Sequence, residues 1–189
     1  GGGSSGGIDT GGTGSYSVGR ISGYGSIIVN GVHYEESAAR IDDDDGNCRS
    51  ASDLRLGMTV AVTAGPIVTD TGGRRRATAS EIRCVSEIKG VVQQVQSDGT
   101  GLQSFTVLGQ TVAVNAATVF DDVTPAALAA GMIVEVYGYF DAQSSRYIAT
   151  RVEREDDADE FKLRGVVANH DAANDTFEIN GQAISYAAI

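Results

Sequence analysis

The sequence predicts an all-β protein, built as tandem five-stranded OB-like (Greek-key) small barrels with a short helix between strands 3 and 4. Three observations carry this expectation. Glycine is abundant (25 residues), proline scarce (2) and tryptophan absent, while the apolar residues fall in short runs of Val, Ile, Ala and Leu that suit strands joined by glycine turns. A strand-turn-strand segment occurs three times. A leucine-glycine-methionine segment occurs twice, and self-similarity at about 75 residues is the signature of repeated units.

The chain opens on GGGSSGGIDTGGTGS, with eight glycines in its first fourteen positions and Ile8 as its one large apolar residue. Such a segment buries too little surface to offset its ordering entropy, so residues 1–15 read as a flexible tether. The first unit follows at 16–87. Its hairpin is Ser26-Ile27-Ile28-Val29-Asn30-Gly31-Val32, where Asn-Gly suits the positive φ angles of a two-residue turn. Leu54-Arg55-Leu56-Gly57-Met58-Thr59-Val60-Ala61-Val62 comes next: the leucine closes a barrel end, the glycine turns the corner and alternate residues line the interior. Ala77–Ile82 forms the closing strand.

The second unit spans 88–156 and repeats this order. Phe105-Thr106-Val107-Leu108-Gly109-Gln110-Thr111-Val112 matches the first hairpin, Leu128-Ala129-Ala130-Gly131-Met132-Ile133-Val134-Glu135-Val136 the second landmark and Ile148–Glu153 the third. Thr124-Pro125-Ala126-Ala127-Leu128 supplies the expected short helix. Five strands with a helix after the third fit an OB-like barrel, with an SH3-like barrel as the competitor. Residues 157–189 begin a third unit at Phe161-Lys162-Leu163-Arg164-Gly165-Val166-Val167 and reach the hairpin Phe177-Glu178-Ile179-Asn180-Gly181-Gln182-Ala183-Ile184, without the later landmarks. Three strands alone leave an open edge and core, so they are expected to pair with a neighbouring unit, a second molecule or a continuation.

Gly23–Val32, Asp44-Asp45-Gly46, the two Leu-x-x-Gly-Met-x-Val-x-Val segments and Phe105–Val112 resemble domain-of-unknown-function family 5666. The resemblance implies repeated small β-barrels, exported behind a lipoprotein signal, and implies no catalytic residues.

A net charge of −11 and a pI near 4.5 repel nucleic acid and remove it as a partner. No run approaches the roughly 18 apolar residues of a membrane-spanning helix, so a membrane enters only through a lipid anchor outside the given chain. Cys48 and Cys84 lack redox or zinc spacing. Cys48 follows the acidic loop of the first unit and Cys84 lies on its last strand. A disulfide is the favoured reading, closing a loop of about 35 residues worth roughly 3 to 4 kcal/mol, with two buried thiols as the alternative.

The candidate sites are few. Asp42-Asp43-Asp44-Asp45-Gly46-Asn47 offers carboxylates for calcium, Asp43 and Asp45 foremost, but in poor register and without a following bidentate glutamate, so a solvated loop is favoured and no metal is assigned. Glu153, Glu155, Asp156, Asp157, Asp159 and Glu160 read as a solvated linker or as an inter-unit cation site. Arg74-Arg75-Arg76 reads as loop charge, with a phosphate or uronate contact as the alternative. Tyr137, Tyr139 and Tyr147 are placed on the outward parity of the last hairpin, as a face for a partner barrel or a sugar ring. His33 and His170 stand in no triad motif, and Gly19, Gly23 and Gly25 form no phosphate loop. The expectation is a non-catalytic extracytoplasmic binding or scaffold module of the cell envelope, needing no cofactor and meeting an envelope protein or glycan. The alternative is an oligosaccharide-binding OB-like module, and a hydrolase with an unrecognised carboxylate pair stands third.

Overall fold

The computed structural model describes residues 14–187; the tether expected at 1–15 lies, up to residue 13, outside them. The chain divides between Val85 and Ser86 into two compact units, each described by itself.

The first unit holds β1 (Ser15–Gly23), β2 (Ile27–Val29), β3 (Val32–Glu35), β4 (Arg40–Asp42), β5 (Thr59–Ala64), β6 (Val68–Thr69) and β7 (Arg75–Cys84). β1, β2 and β3 form an antiparallel meander, β5 lies between β1 and β7, and a parallel β3–β7 pairing closes a five-stranded barrel. Asn30 and Gly31 take positive φ angles of 51° and 76° in the β2–β3 turn, the conformation that their side chains tolerate. Ile21, Val29, Val32, Tyr34, Val60, Val62 and Ile82 fill the interior, and Leu54 is buried at one end. Gly57 turns with φ 81° and donates to the Ile21 carbonyl at 2.9 Å.

The second unit holds β8 (Ile88–Asp98), β9 (Gly101–Val107), β10 (Gln110–Ala113), β11 (Val119–Asp121), β12 (Ile133–Asp141) and β13 (Arg146–Glu155). The pairings run in the same order, with β10 parallel to β13 closing the barrel. Ile88, Val92, Phe105, Val107, Val112, Leu128, Val134, Val136, Tyr147, Ala149 and Val152 form its core. Gly131, φ 92°, donates to the Val92 carbonyl at 2.8 Å, as Gly57 does to Ile21. After β13 the chain adds β14 (Lys162–Leu163) antiparallel to β8, and Leu163 packs on this core. β15 (Val167–Asp171), β16 (Thr176–Ile179) and β17 (Gln182–Ser185) make a separate three-stranded antiparallel sheet.

The short helix is corrected. At Thr124–Leu128 the chain makes a hydrogen-bonded turn, with Ala127 and Leu128 amides donating to the Thr124 carbonyl at 3.0 and 3.2 Å. In the first unit a single 3-10 turn, Ala51–Asp53, stands in its place. Nucleating a helix fixes three residues for one bond, and a segment this short, followed at once by the buried leucine and the glycine corner, has no length over which to recover that cost.

Candidate functional site

The groups with chemical potential gather on the second unit, in two places. The first is the outer surface of β11, β12 and β13. β13 lies between the other two, with Glu135 opposite Glu153 and Asp121 opposite Glu153, so three carboxyl residues stand in one row. Like charges in direct cross-strand register repel. Arg151 answers them from two residues away: its Nε donates to Glu153 and its Nη2 to Asp121 at 2.5 Å. Lys162 Nζ lies 3.8 Å from Glu135. Carboxylate oxygens of Glu135, Glu153 and Glu155 all lie within 4.8 Å of one another, the donor set that a divalent cation takes. The matching row of the first unit is Ala61, Arg83 and Asp42, and there Arg83 pairs with Asp42 at 3.2 Å. The triple-acid row is therefore peculiar to the second unit.

The second place is the seam where residues after β13 return to this barrel. The Arg164 amide donates to the Glu87 carbonyl at 2.8 Å, and Lys162 Nζ donates to Ser86 Oγ at 2.7 Å. The Tyr147 hydroxyl donates to the Arg164 carbonyl at 2.5 Å and accepts from Asn180 Nδ2 at 2.6 Å. Gln110 Nε2 donates to Gln182 Oε1 at 2.9 Å. Burial raises the Glu87 carboxyl to about 7, against the opposing pull of Arg164 and Lys162. Burial also raises the Tyr147 hydroxyl; the Asn180 bond lowers it and Glu87 raises it further. A carboxyl that changes charge near neutrality thus sits beside the bonds that fasten the last segment.

The tyrosine face needs correction. Tyr139 is exposed at 51%, but Tyr137 and Tyr147 are 3% and 1% exposed. β12 keeps the expected parity, whereas in β13 the register steps from Tyr137↔Arg151 to Gly138↔Ala149 and leaves Thr150 as an extra residue. One extra residue exchanges the two faces of a strand. Tyr147 and Ala149 therefore point inward with Val152, and Tyr147 packs edge-on against Phe140 at 5.2 Å. Gly138 permits the bulge: a Cβ there would come within 2.1 Å of the Ile148 carbonyl oxygen. Tyr137 does face outward, on a stretch of sheet where Glu135 and Arg151 are also buried.

Asp43 works within its own loop, its carboxylate accepting from the amides of Gly46, Asn47 (3.0 Å) and Cys48 (2.7 Å); Asp45 is exposed. Cys48 and Cys84 form a disulfide, with Cα atoms 6.3 Å apart. In the Arg74-Arg75-Arg76 run, the Arg74 amide and the Arg76 guanidinium both bond Asp70, at 2.9 and 3.2 Å. His33 Nδ1 lies 3.4 Å from Ser26 Oγ, and His170 Nε2 lies 2.9 Å from the Tyr186 hydroxyl. Of the second acidic run, Glu153 and Glu155 stand half-buried on β13, while Asp156, Asp157, Asp159 and Glu160 are exposed beyond it.

Sequence reasoning missed Glu135, Arg151 and Glu87. Glu135 was legible as the one acid inside a Val-rich strand; Glu87 had no local signal, because its partners lie on β13, on β14 and just after it. A family model described as Domain of unknown function (DUF5666) matches residues 89–153. No curated protein and no solved structure matches the chain.

Proposed function

Since the chain belongs to DUF5666 through residues 89–153, we infer that it acts as a non-catalytic, extracytoplasmic binding or scaffold protein of the cell envelope, built from tandem OB-like barrels. The observation that carries this reading is the use of the two interiors. The first barrel is filled by its own Val, Ile and Tyr side chains and the second by its own Val, Ile, Phe and Tyr side chains, which leaves the outer surfaces and loops for contact with other molecules. The recurring pairing order, with a parallel bond between third and fifth barrel strands, supports OB-like rather than SH3-like connectivity and supports the tandem arrangement. The Cys48–Cys84 disulfide supports an oxidising compartment, since cytosolic thiols are kept reduced.

Immobilised protein exposed to detergent-solubilised envelope proteins and to a glycan array tests the reading. Scaffold function predicts a saturable protein partner whose capture is unchanged in Tyr139→Ala. Glycan binding lost in Tyr139→Ala would favour the oligosaccharide module instead. Release of product from any glycan retained would overturn the non-catalytic reading.

A further inference from the structure

The negative charge of the chain is unevenly placed. Residues 14–85 carry eight arginines against nine carboxylates, whereas residues 86–189 carry six cations against fifteen. Three of the eight arginines are consecutive, Arg74-Arg75-Arg76, where the β6–β7 hairpin runs into β7. Asp70 organises that hairpin. Its carboxylate accepts from the Gly72 and Arg74 amides, both at 2.9 Å, and from Arg76 Nε at 3.2 Å. Elsewhere in the unit Arg40 and Arg83 pair with carboxylates, and Arg49 and Arg55 bond loop carbonyls. Among the described residues the guanidinium groups of Arg74 and Arg75 have no partner.

Cross-strand register sets Ile28, His33, Arg76 and Val68 in one row over β2, β3, β7 and β6, and Arg74 and Arg75 flank this row at its hairpin end. Arg74 and Arg76 are exposed, Arg75 is half-buried, and Val68 is 60% exposed. Two carboxylates border the row: Asp70, committed to the hairpin, and Glu35 on β3, which accepts from the Ser37 amide at 3.3 Å. Neither folding nor solubility accounts for the arginine pair. In the second unit the same connection runs from Asp141 to Arg146 and has Ser144-Ser145 before its single arginine, so closing this barrel needs no arginine run. In a chain of net charge −11 added cations bring the net charge nearer zero, which lowers solubility.

We propose that this face of the first unit binds an acidic polysaccharide by its uronate carboxylates, held by the unpaired Arg74 and Arg75 forks beside Arg76, with Val68 against the apolar face of a sugar ring. A guanidinium fork matches a carboxylate two bonds at a time. Charge and shape favour this ligand over nucleic acid. A duplex carries a charge about every 1.7 Å and meets the repulsion of the whole acidic chain. A single strand is held by several stacking aromatic rings, and the row offers only the His33 imidazole. A uronate chain bears its charges singly, sugar by sugar, so a local patch suffices. The proposal names a ligand for the binding role inferred above and rests on that role, but its site is separate from Tyr139.

The test is calorimetric titration of the whole, disulfide-bonded chain with oligogalacturonate of defined length, at about 50 mM salt to limit screening. The expected result is saturable binding that Arg74→Ser/Arg75→Ser weakens about tenfold or more and Tyr139→Ala leaves unchanged. Arg74→Lys/Arg75→Lys keeps the charge and loses the fork, and should weaken binding about threefold or more. In the isotope-labelled, unsubstituted chain the amide shifts should fall at His33 and across 68–76, a readout independent of how any variant folds. Absence of binding, amide shifts elsewhere, equal affinity for polyphosphate, DNA or polyglutamate, or a lysine pair that binds as tightly as the unsubstituted chain would each overturn the uronate site. Saturable capture of an envelope protein alongside such a failure would leave the binding role standing, whereas cleavage of the oligogalacturonate would overturn the non-catalytic role itself.

Discussion

Replacing Glu87 with glutamine is expected to stabilise the second unit at alkaline pH and to leave it unchanged in mild acid. Glu87 precedes β8 and is faced by Lys162 of β14, by Arg164 beyond it and by Tyr147 of β13. Burial dominates and lifts its carboxyl from 4.5 to about 7. Below about pH 4.5 folded and unfolded chains both hold the proton, and the group contributes no pH dependence. Between the two values the unfolded chain has released its proton while the folded one retains it, so stability falls as pH rises; above about 7 the whole cost is present. A displacement of that size corresponds to roughly 3 kcal/mol, which partial contact with water reduces to on the order of 2 kcal/mol. Glutamine matches the neutral acid in shape and never ionises. Denaturant unfolding followed by amide cross-peaks of β12 and β13, at about pH 4 and about pH 8.5, should give a gain of that order for Glu87→Gln at the higher pH only. Equal effects at both pH values, or a Glu87 carboxyl carbon titrating in the ordinary glutamate range, would refute the reasoning.

Four further outcomes follow from the geometry. Gly138→Ala drives a methyl group into the Ile148 carbonyl and should cost about 2 to 4 kcal/mol in the second unit while leaving the first untouched, as amide exchange would show. Non-reducing alkylation followed by intact mass should find no free thiol, and the Cys48→Ala/Cys84→Ala pair should lose roughly 3 to 4 kcal/mol in the first unit by calorimetry. Among the described residues the buried Tyr34 hydroxyl has no hydrogen-bond partner, so Tyr34→Phe should raise first-unit stability by about 1 kcal/mol in denaturant titrations. Tyr147→Phe removes the bonds to Arg164 and Asn180 and should accelerate proteolysis and amide exchange across 164–187, whereas Tyr139→Ala should change neither.

Local signals made the strand order legible. Asn30-Gly31 and Leu-x-x-Gly-Met encode their own backbone conformations, and Val134 and Val136 announce their inward faces by alternation. Tyr147 was not legible, because the face it occupies depends on the extra Thr150, and nothing in a ten-residue strand marks where its register slips. The run at Thr124–Leu128 carried helix formers but too few of them to overcome nucleation. The charged row failed for a different reason. Glu135, Glu153 and Asp121 are neighbours across three strands, a relation that sequence spacing does not record. Glu153 was visible only as part of an acidic run whose members after Glu155 are exposed.

The parallel bond between the third and fifth barrel strands has a kinetic consequence. In the second barrel, β8–β10 can form through adjacent hairpins and β12–β13 through its own turn, but Val112↔Tyr147 and Ala113↔Ile148 join two hairpins already made. Closure therefore waits on loop entropy and on the non-local pairing β10–β13 in addition to β8–β12, the kind of step that slows β-rich folding. The β15–β17 sheet forms a meander of the same register. A refolding experiment that resolves meander formation from barrel closure should find the spectrum of this sheet complete in the earlier phase, while β10 and β13 gain amide protection together and later.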